Sequence, residues 1–487
     1  MNVSIESIKW CDFYMLTKSI DEWTDIKINS FDNYNPYFSH FSKKNDFYRF
    51  ATKKTLDRQL SNTEGLISGK IKPIYTKKIS FIGEDYNKLV LFKKMKSGFH
   101  SLNKEFATLQ YDLNSGPNVE VFVSYLVGLI SENKLCPSFN YFYFSCYANI
   151  SCFDYEIEIG SMNEGIMNVI YDLIQDGRAS YDVLYKDDEI ANADEIAIMN
   201  EDEIAIAIAN AIANVHEKDR IRLNVMPPIV KPKAEITENL KTQRSQQSTE
   251  TDNDMLFEDD ILLTMKNHPC YLLITEQNDL DFAHLVKTRD AQAIKSVIFQ
   301  VFSACVIMYN LFSIKNNDLH TGNIMLKKTK KKSLYYKLNS RIYEVPTYGH
   351  KAKIIDWGRG TYKIAKNGTY GKLKGKNLIY NNEIYSGFYD YTKDDCFDYK
   401  YSDIAIFCHS ILNDFHNEEI ELINEWKPIA KFLHKFCAGI NTNEYNWEIY
   451  EEIMKTDKPI IFEDLFKHKF FDCYLTKNGS GHIFNIY

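Results

Sequence analysis

The chain has 487 residues, and its 58 Lys and Arg stand against 66 Asp and Glu, which gives a formal charge of −8. Its apolar fraction of 45% is that of a globular protein, so a chain disordered throughout is excluded, and its length suffices for roughly two to four domains. Because binding to phosphate backbones needs a surplus of Lys and Arg, the acidic balance gives no reason to expect a nucleic-acid partner.

Ten cysteines are scattered along the chain, with no CxxC pair and no His spacing typical of zinc ligands. We therefore predict reduced thiols in a cytoplasmic protein. The N-terminal residues MNVSIESIKWCDFYML lack the basic and apolar regions of a secretory signal, which agrees with that prediction.

Short strands are predicted in the first part of the chain, at 77–83, 88–95, 137–147 and 269–277, where aromatic and β-branched residues are frequent. Beyond about Asp279 the pattern changes to helices, predicted at 290–314, 401–414 and 418–438. Strands followed by helices favour an α+β fold. We predict that it is arranged as two lobes with the functional cleft between them.

The composition changes sharply between about Asp176 and Asp260. From Asp182 to Glu203 nine acidic residues accompany a single Lys, and the tetrapeptide DEIA occurs three times. A polar stretch without aromatic residues follows, and such a stretch cannot offset its ordering entropy by burial. We predict a disordered or helical acidic insertion here, with an acidic docking arm as the functional alternative.

The window Ser296–Ile314 is nineteen residues long, carries no charge and is long enough to span a membrane. Its apolar residues recur at helical spacing, and it also contains Gln300, Asn310 and three Ser. This mixture favours a buried core helix, so no transmembrane segment is predicted.

Oxygen-bearing side chains follow that window at a defined spacing. Asp318 and Asn323 are five residues apart in NNDLHTGN, and Asp356 follows an apolar run in IIDWG. In a phosphoryl-transfer site, such a carboxylate orients the attacking hydroxyl and such a carboxamide holds a metal. Asp356 precedes Trp357 and a glycine that permits a sharp turn, which suits a carboxylate that binds Mg²⁺ bridging nucleotide phosphates.

With these residues the chain resembles the protein-kinase-like superfamily, and other elements stand in the order that this family has. The sequence Val90-Leu91-Phe92-Lys93 resembles the third-strand V-A-I-K, which implies that Lys93 binds the α- and β-phosphates; Lys94 is the alternative in the next register. Glu120 is then the implied ion-pair partner of Lys93 on the first large helix. The strand that ends near Glu276 resembles the one that leads to the hinge, whose backbone would bind adenine.

The resemblance implies a bilobal kinase fold with a small β-rich N-lobe and a larger helical C-lobe. We predict an N-terminal extension at 1–60, an N-lobe at 61–278 that carries the insertion at about 176–260, and a C-lobe at 279–487. The implied activity is that of a serine/threonine protein kinase that uses ATP with Mg²⁺ or Mn²⁺. Asp318 would be the catalytic base, Asn323 and Asp356 the metal ligands, and Asp403 a structural brace for the catalytic loop.

Several positions depart from the family pattern. The His-Arg before the catalytic Asp is here Asn316-Asn317, which removes the cation that pairs with a phosphorylated activation loop. His320 replaces the Lys that meets the γ-phosphate, and the glycine-rich phosphate loop is approximated only by Gly65 and Gly69. Two alternatives therefore stay open: a small-molecule phosphotransferase of the aminoglycoside- or choline-kinase kind, which shares the wording D-L-H-x-G-N, and a catalytically weak pseudokinase.

The Lys-rich segment between Asn323 and Asp356, the D-W-G-R-G wording and the helices after Asp403 resemble the kinases of poxviruses and giant nucleocytoplasmic large DNA viruses, often packaged in the virion. The resemblance covers residues 60–175 and 262–487. It implies protein substrates such as viral structural proteins, and a location in the virion and the host cytoplasm. The Lys run at 327–332 is either a solvated turn or a docking patch for acidic substrates or membrane headgroups.

Overall fold

The computed structural model describes residues 5–8, 10–23, 26–27, 47–81, 89–90, 92–93, 116–158, 164–184, 260–363, 378–380, 402–417, 424, 426–437 and 462–486. The chain divides into two compact units. The first contains the chain up to Phe81, Phe99–Ile150 and the chain from Pro269 onward, and the second contains Ile82–Gly98 and Ser151–His268.

Helices of the first unit are found from its first described residues to its last ones. Within the residues that the structure describes they are α1 (Trp10–Trp23), α2 (Gly116–Glu132), α4 (Phe282–Lys287), α5 (Ala291–Phe312), α6 (Ser402–Asn417), α7 (Lys427–His434) and α8 (Phe462–Lys467). The second unit contains α3 (Glu164–Gln175). Two short 3-10 helices lie at Thr321–Asn323 and Lys469–Tyr474.

The strands, in chain order, are β1 (Ile5–Ile8), β2 (Ile26–Lys27), β3 (Phe47–Phe50), β4 (Leu56–Gln59), β5 (Glu64–Ile67), β6 (Lys70–Ser80), β7 (Phe142–Glu158), β8 (Ala179–Leu184), β9 (Asp260–Glu276), β10 (Leu280–Asp281), β11 (Ile324–Lys328), β12 (Ser333–Leu338), β13 (Arg341–Pro346), β14 (His350–Ile354), β15 (Thr361–Lys363), β16 (Leu378–Tyr380), β17 (Leu475–Thr476) and β18 (Ile483–Ile486).

The largest sheet has the strand order β2-β7-β9-β6-β5-β4. In the first unit β6 lies inside this sheet, antiparallel to β5 on one side and to the end of β9 on the other. In the second unit β8 pairs antiparallel with the first residues of β9. Strands at 137–147 and 269–277 were predicted, and β7 and β9 cover most of them.

Helix α2 is buried from Gly116 to Ser131, which fits its composition because it is apolar on all sides. It approaches β7 very closely at Gly128, where a Cβ atom would lie 2.9 Å from the Cβ of Phe142. A glycine is required there, since any side chain would push the helix away from the sheet.

Helix α5 is long and apolar enough to cross a membrane, by length and composition alone. The Asp290 side chain caps its first turn by accepting from the backbone N–H groups of Gln292 and Ala293, and Ser313 ends it in the left-handed conformation. The helix contacts α2, α4, α6 and several strands of the first unit, and its most apolar window is 83% buried. It therefore packs as the predicted core helix.

The mixture of sheets and helices agrees with an α+β fold, but the second part of the chain contains more strands than predicted. The Lys-rich segment after Asn323 forms the hairpin β12–β13, which belongs to a four-stranded sheet ordered β17-β13-β12-β18. Strand β18 pairs in parallel with β12, so the end of the described chain closes this sheet. Most of the insertion predicted at 176–260 lies outside the described residues, and the predicted boundary at 278/279 falls within the first unit.

Candidate active site

Three charged side chains of the first unit meet in one cluster. The Lys77 ammonium lies 2.6 Å from a carboxylate oxygen of Glu120 and 3.2 Å from one of Asp356. The Glu120 side chain is 6% exposed, whereas that of Asp356 is 45% exposed. The cluster is thus closed at Glu120 and open to solvent at Asp356.

Each member of this cluster comes from a different element. Lys77 stands opposite Leu273 in the pairing of β6 with β9, and Glu120 lies near the start of the buried helix α2. Asp356 follows β14 with a φ of 56°, a left-handed conformation that turns the chain sharply. The Trp357 ring next to it is buried and lies 6.0 Å, centroid to centroid, from the ring of Phe139.

Burial and charge act against each other in the cluster. Burial alone would lower the pKa of Lys77, but the carboxylates of Glu120 and Asp356 raise it above its ordinary value. Burial raises the pKa of Glu120 to about 7, although the positive charge of Lys77 opposes this shift. A protonated Lys77 is therefore strongly favoured, as an anion-binding group requires.

Lys93 does not make the predicted ion pair with Glu120, so that assignment is corrected. Residues 89–90 and 92–93 are helical and belong to the second unit, where the Lys93 ammonium contacts the Asp172 carboxylate. The Arg178 guanidinium donates to the Phe92 and Lys93 carbonyls, both at 2.7 Å. A short apolar run occurs in helices as well as in strands, so the V-x-x-K sequence alone could not show that Lys93 lies on a strand. The alternative, Lys94, lies outside the described residues.

The loop that carries Asp318 is braced as predicted by Asp403, at the start of α6. The two carboxylate oxygens of Asp403 accept the backbone N–H groups of Asn316 and Asn317, both at 2.7 Å. Burial raises the pKa of Asp403, while these two hydrogen bonds favour its charged form. The carboxylate therefore satisfies two buried donors that no strand or helix satisfies.

The two asparagines that replace His-Arg join this loop to the turn at Asp356. The Asn316 amide nitrogen donates to the Asp356 carbonyl at 2.6 Å, and its oxygen accepts the Asp318 N–H at 3.1 Å. The Asn317 amide nitrogen donates to the Arg359 carbonyl at 2.9 Å. Uncharged amides thus connect the two loops that carry the candidate site.

Asn323 and Asp356 are neighbours across the pairing of β11 with β14, because the Asn323 carbonyl accepts the Ile355 N–H at 3.0 Å. The Asn323 amide nitrogen donates to the Asp318 carbonyl at 2.8 Å, so the amide oxygen is its group suited to a cation. Carboxylate and amide oxygens fit Mg²⁺, which keeps waters and takes few protein ligands. Among the residues that the structure describes, no group of three or more His, Cys, Asp or Glu is arranged to hold a metal.

The Asp318 carboxylate lies beside two basic side chains. One oxygen is 3.1 Å from the Arg359 guanidinium and the other is 3.9 Å from Nε2 of His320. His320 also caps the short helix Thr321–Asn323, with Nδ1 accepting the Gly322 N–H at 3.1 Å. Sequence reasoning missed Arg359, although it stands only three residues after Asp356.

Gly65 and Gly69, predicted to approximate a glycine-rich phosphate loop, do not lie in one loop. Gly65 lies in β5, where a Cβ would be 2.7 Å from Cδ1 of Leu56. Gly69 lies past the other end of β5, in the two-residue turn to β6, with φ of 75°. Its N–H already donates to the Asp57 carboxylate at 2.7 Å. Residues 60–63 form the loop that connects β4 to β5, and Gly65 lies just after this loop.

Glu276 ends β9, where a hinge was predicted. Its backbone N–H donates to the Tyr141 carbonyl at 2.9 Å, so this N–H already has an acceptor within the protein. Its side chain accepts from the Lys353 ammonium at 3.0 Å, and Lys353 is buried. Burial opposes ionisation of Glu276, but the charge and hydrogen bond of Lys353, together with the charges of Lys327 and Lys351, lower the pKa of the carboxyl.

Comparison with known proteins adds a short similarity. No protein-family model matches the chain. The serine/threonine-protein kinase haspin of Mus musculus and that of Bos taurus are each 36% identical to it over 63 residues. This stretch is 13% of the chain and only 8% of each haspin. The similarity suggests the protein-kinase-like superfamily and supports a kinase-like function.

Proposed function

We propose that this protein is an ATP-dependent phosphotransferase that acts on serine and threonine hydroxyls of proteins. The observation that carries the proposal is the cluster of Lys77, Glu120 and Asp356 beside the loop of Asp318 and Asn323. It combines a paired cation, a half-exposed carboxylate and a separate carboxylate, which are the groups that phosphoryl transfer uses.

Lys77 is proposed to bind the α- and β-phosphates in place of Lys93. Glu120 holds its ammonium at 2.6 Å and is itself nearly buried, so the lysine is oriented before the nucleotide arrives. Residues 60–63 are proposed to cover the phosphates, because the Thr63 carbonyl accepts the N–H of Ile74, three residues before Lys77. Backbone N–H groups can bind phosphate without the full set of glycines.

Asn323 and Asp356 are proposed to hold Mg²⁺ or Mn²⁺, which would neutralise the charge of the nucleotide phosphates when bound. Asp318 is proposed to orient the acceptor hydroxyl and take its proton. The hydroxyl oxygen forms a bond to the γ-phosphorus, the bond from that phosphorus to the β–γ bridging oxygen breaks, and ADP leaves with the electron pair. Asp403, Asn316 and the backbone of the loop keep Asp318 in place.

The acceptor is proposed to be a protein because the short similarity is to a serine/threonine-protein kinase. The alternative is a small-molecule acceptor, which the D-L-H-x-G-N wording around His320 still favours. Incubating the protein with labelled ATP and either mixed protein acceptors or a panel of aminoglycosides and aminoalcohols distinguishes them. Label in the small molecules alone would overturn the protein acceptor.

The role of the site is tested with Asp356→Asn, which keeps the size of the side chain and removes its charge. We expect loss of phosphate transfer with an unchanged circular dichroism spectrum. Asp464→Asn is the matched control, because Asp464 is exposed on α8, where its carboxylate lies 3.6 Å from the ammonium of Lys467, three residues further on. Wild-type transfer by Asp356→Asn would contradict the proposal, and absence of transfer by the wild-type protein would favour the pseudokinase.

A viral source, viral structural proteins as substrates and a location in the virion and host cytoplasm remain proposals that follow from the sequence resemblance. They are tested by mass spectrometry of purified virions and by comparing virion phosphosites with and without Asp356→Asn. Absence of the protein from virions would overturn the proposed location.

A further inference from the structure

Arg359 lies directly against the carboxylate proposed to orient the acceptor. Its guanidinium is 3.1 Å from Oδ1 of Asp318, and the two side chains are 23% and 17% exposed. The pair is therefore partly shielded from water, where a charge interaction is stronger than at an open surface. It joins the turn after Asp356 to the loop before Asn323.

The backbone around Arg359 is held by several hydrogen bonds. The Asn317 amide nitrogen donates to the Arg359 carbonyl at 2.9 Å and to the Thr361 hydroxyl at 3.1 Å. Thr361 and Lys315 exchange two backbone hydrogen bonds of 3.0 Å, and the Gly360 N–H donates to the Trp357 carbonyl at 2.9 Å. The guanidinium is thus carried by a segment of fixed geometry.

The chemistry of an arginine suits a position beside a reacting phosphoryl group. A guanidinium stays charged at every relevant pH and has five N–H donors, enough to contact a carboxylate and phosphate oxygens together. His320, two residues after Asp318, is farther from the carboxylate, with Nε2 at 3.9 Å, and its Nδ1 caps a backbone N–H. A permanent charge beside Asp318 therefore comes from Arg359.

We infer that Arg359 binds the γ-phosphoryl group of the nucleotide and stabilises the charge that develops during its transfer. This inference rests on the proposed function and adds a residue to it. The guanidinium contacts Asp318 in the structure, and from the same place it would also contact the γ-phosphate oxygens of a bound nucleotide. Asn317 is then a positioning residue, because it holds the Arg359 backbone.

The inference is tested by binding, so it does not depend on turnover. Dissociation constants are measured for Mg·ADP and for the magnesium complex of β,γ-imido-ATP, with wild-type protein, Arg359→Gln and Arg359→Lys. We expect Arg359→Gln to lose about tenfold or more in affinity for the triphosphate and to keep its affinity for ADP, since only the triphosphate loses a charged hydrogen bond. Arg359→Lys should retain part of the preference, and Arg289→Gln, on an exposed connection between α4 and α5, should change neither value.

Rates give an independent readout. In single-turnover phosphate transfer, Arg359→Gln should be slower by about 10²-fold or more, the effect of losing one donor to developing charge. An unchanged ratio of triphosphate to diphosphate affinity would overturn the inference while leaving the proposed function intact. Faster transfer by Arg359→Gln would show that the arginine blocks Asp318. If the wild-type protein binds neither nucleotide, both the inference and the proposed function fail.

Discussion

The Lys77 ammonium and the Glu120 carboxylate lie 2.6 Å apart, on a strand and a helix that are separated by forty-three positions in the chain. Because Glu120 is nearly buried, it can hold the lysine but has little access to solvent itself. The exposed Asp356 carboxylate lies on the other side of the same ammonium. Lys77, and not Lys93, is therefore the lysine that pairs with Glu120 and Asp356.

The first prediction compares these two lysines directly. Lys77→Met should lower affinity for Mg·ADP by about tenfold or more, since a charged hydrogen bond to phosphate is lost. Lys93→Met should leave that affinity unchanged, because Lys93 contacts Asp172 in the second unit. Isothermal titration calorimetry of both variants measures the difference. Loss of binding in Lys93→Met alone would restore the original assignment.

The second prediction concerns the brace of the catalytic loop. Asp403→Ala leaves the buried N–H groups of Asn316 and Asn317 without their acceptors, which should lower the free energy of unfolding by about 2–5 kcal/mol. Urea unfolding followed by tryptophan fluorescence measures this change. Asp472→Ala, at an exposed position near the end of the chain, is the control. Equal midpoints for the two variants would contradict the bracing role.

The third prediction concerns the buried ion pair of Lys353 and Glu276. Lys353→Met leaves the mostly buried Glu276 carboxylate without its hydrogen-bonded cation, and the charges of Lys327 and Lys351 compensate only in part, so the loss should approach about 3–5 kcal/mol of unfolding free energy. Adding Glu276→Gln removes this incompletely compensated charge, so the double variant should be more stable than Lys353→Met. A double-mutant cycle by urea unfolding measures the coupling. Strictly additive losses would show that the two side chains do not interact.

The fourth prediction concerns pH. His268 is buried in the second unit, its Nε2 lies 2.9 Å from the Tyr155 hydroxyl, and burial lowers its pKa from 6.5 to about 3. Between pH 6.5 and 3 the unfolded chain therefore binds a proton that the folded chain does not, so stability falls as the pH falls. The contribution is complete above pH 6.5 and is lost at about 1.4 kcal/mol per pH unit below it.

His268→Gln removes this titration and can still accept from Tyr155. Between pH 7.5 and 5.0, unfolding of the second unit should therefore lose about 2 kcal/mol more in the wild-type protein than in the variant. Urea unfolding at the two pH values measures this difference. Equal losses in both proteins would mean that His268 is already protonated in the folded state.

Asp318, Asn323 and Asp356 were predicted as site residues from local features, a loop of defined spacing and an apolar strand before a turn, and their roles stay a prediction. Asp403 was recognised in the same way, and its two hydrogen bonds confirm its bracing role. Glu120 was placed correctly on a large helix, but its partner was not identified.

The amino-acid sequence by itself determined the α+β composition, the apolar core helix α5 and the residues of the loops, since these depend on local periodicity and spacing. Tertiary structure alone decided the contacts between distant segments: Lys77 with Glu120, and Arg359 with Asp318. Many lysines follow a short apolar run, so the pattern could not choose between Lys77 and Lys93. The choice depends on which strand enters the sheet next to β9 and which buried carboxylate faces it, and chain packing sets both.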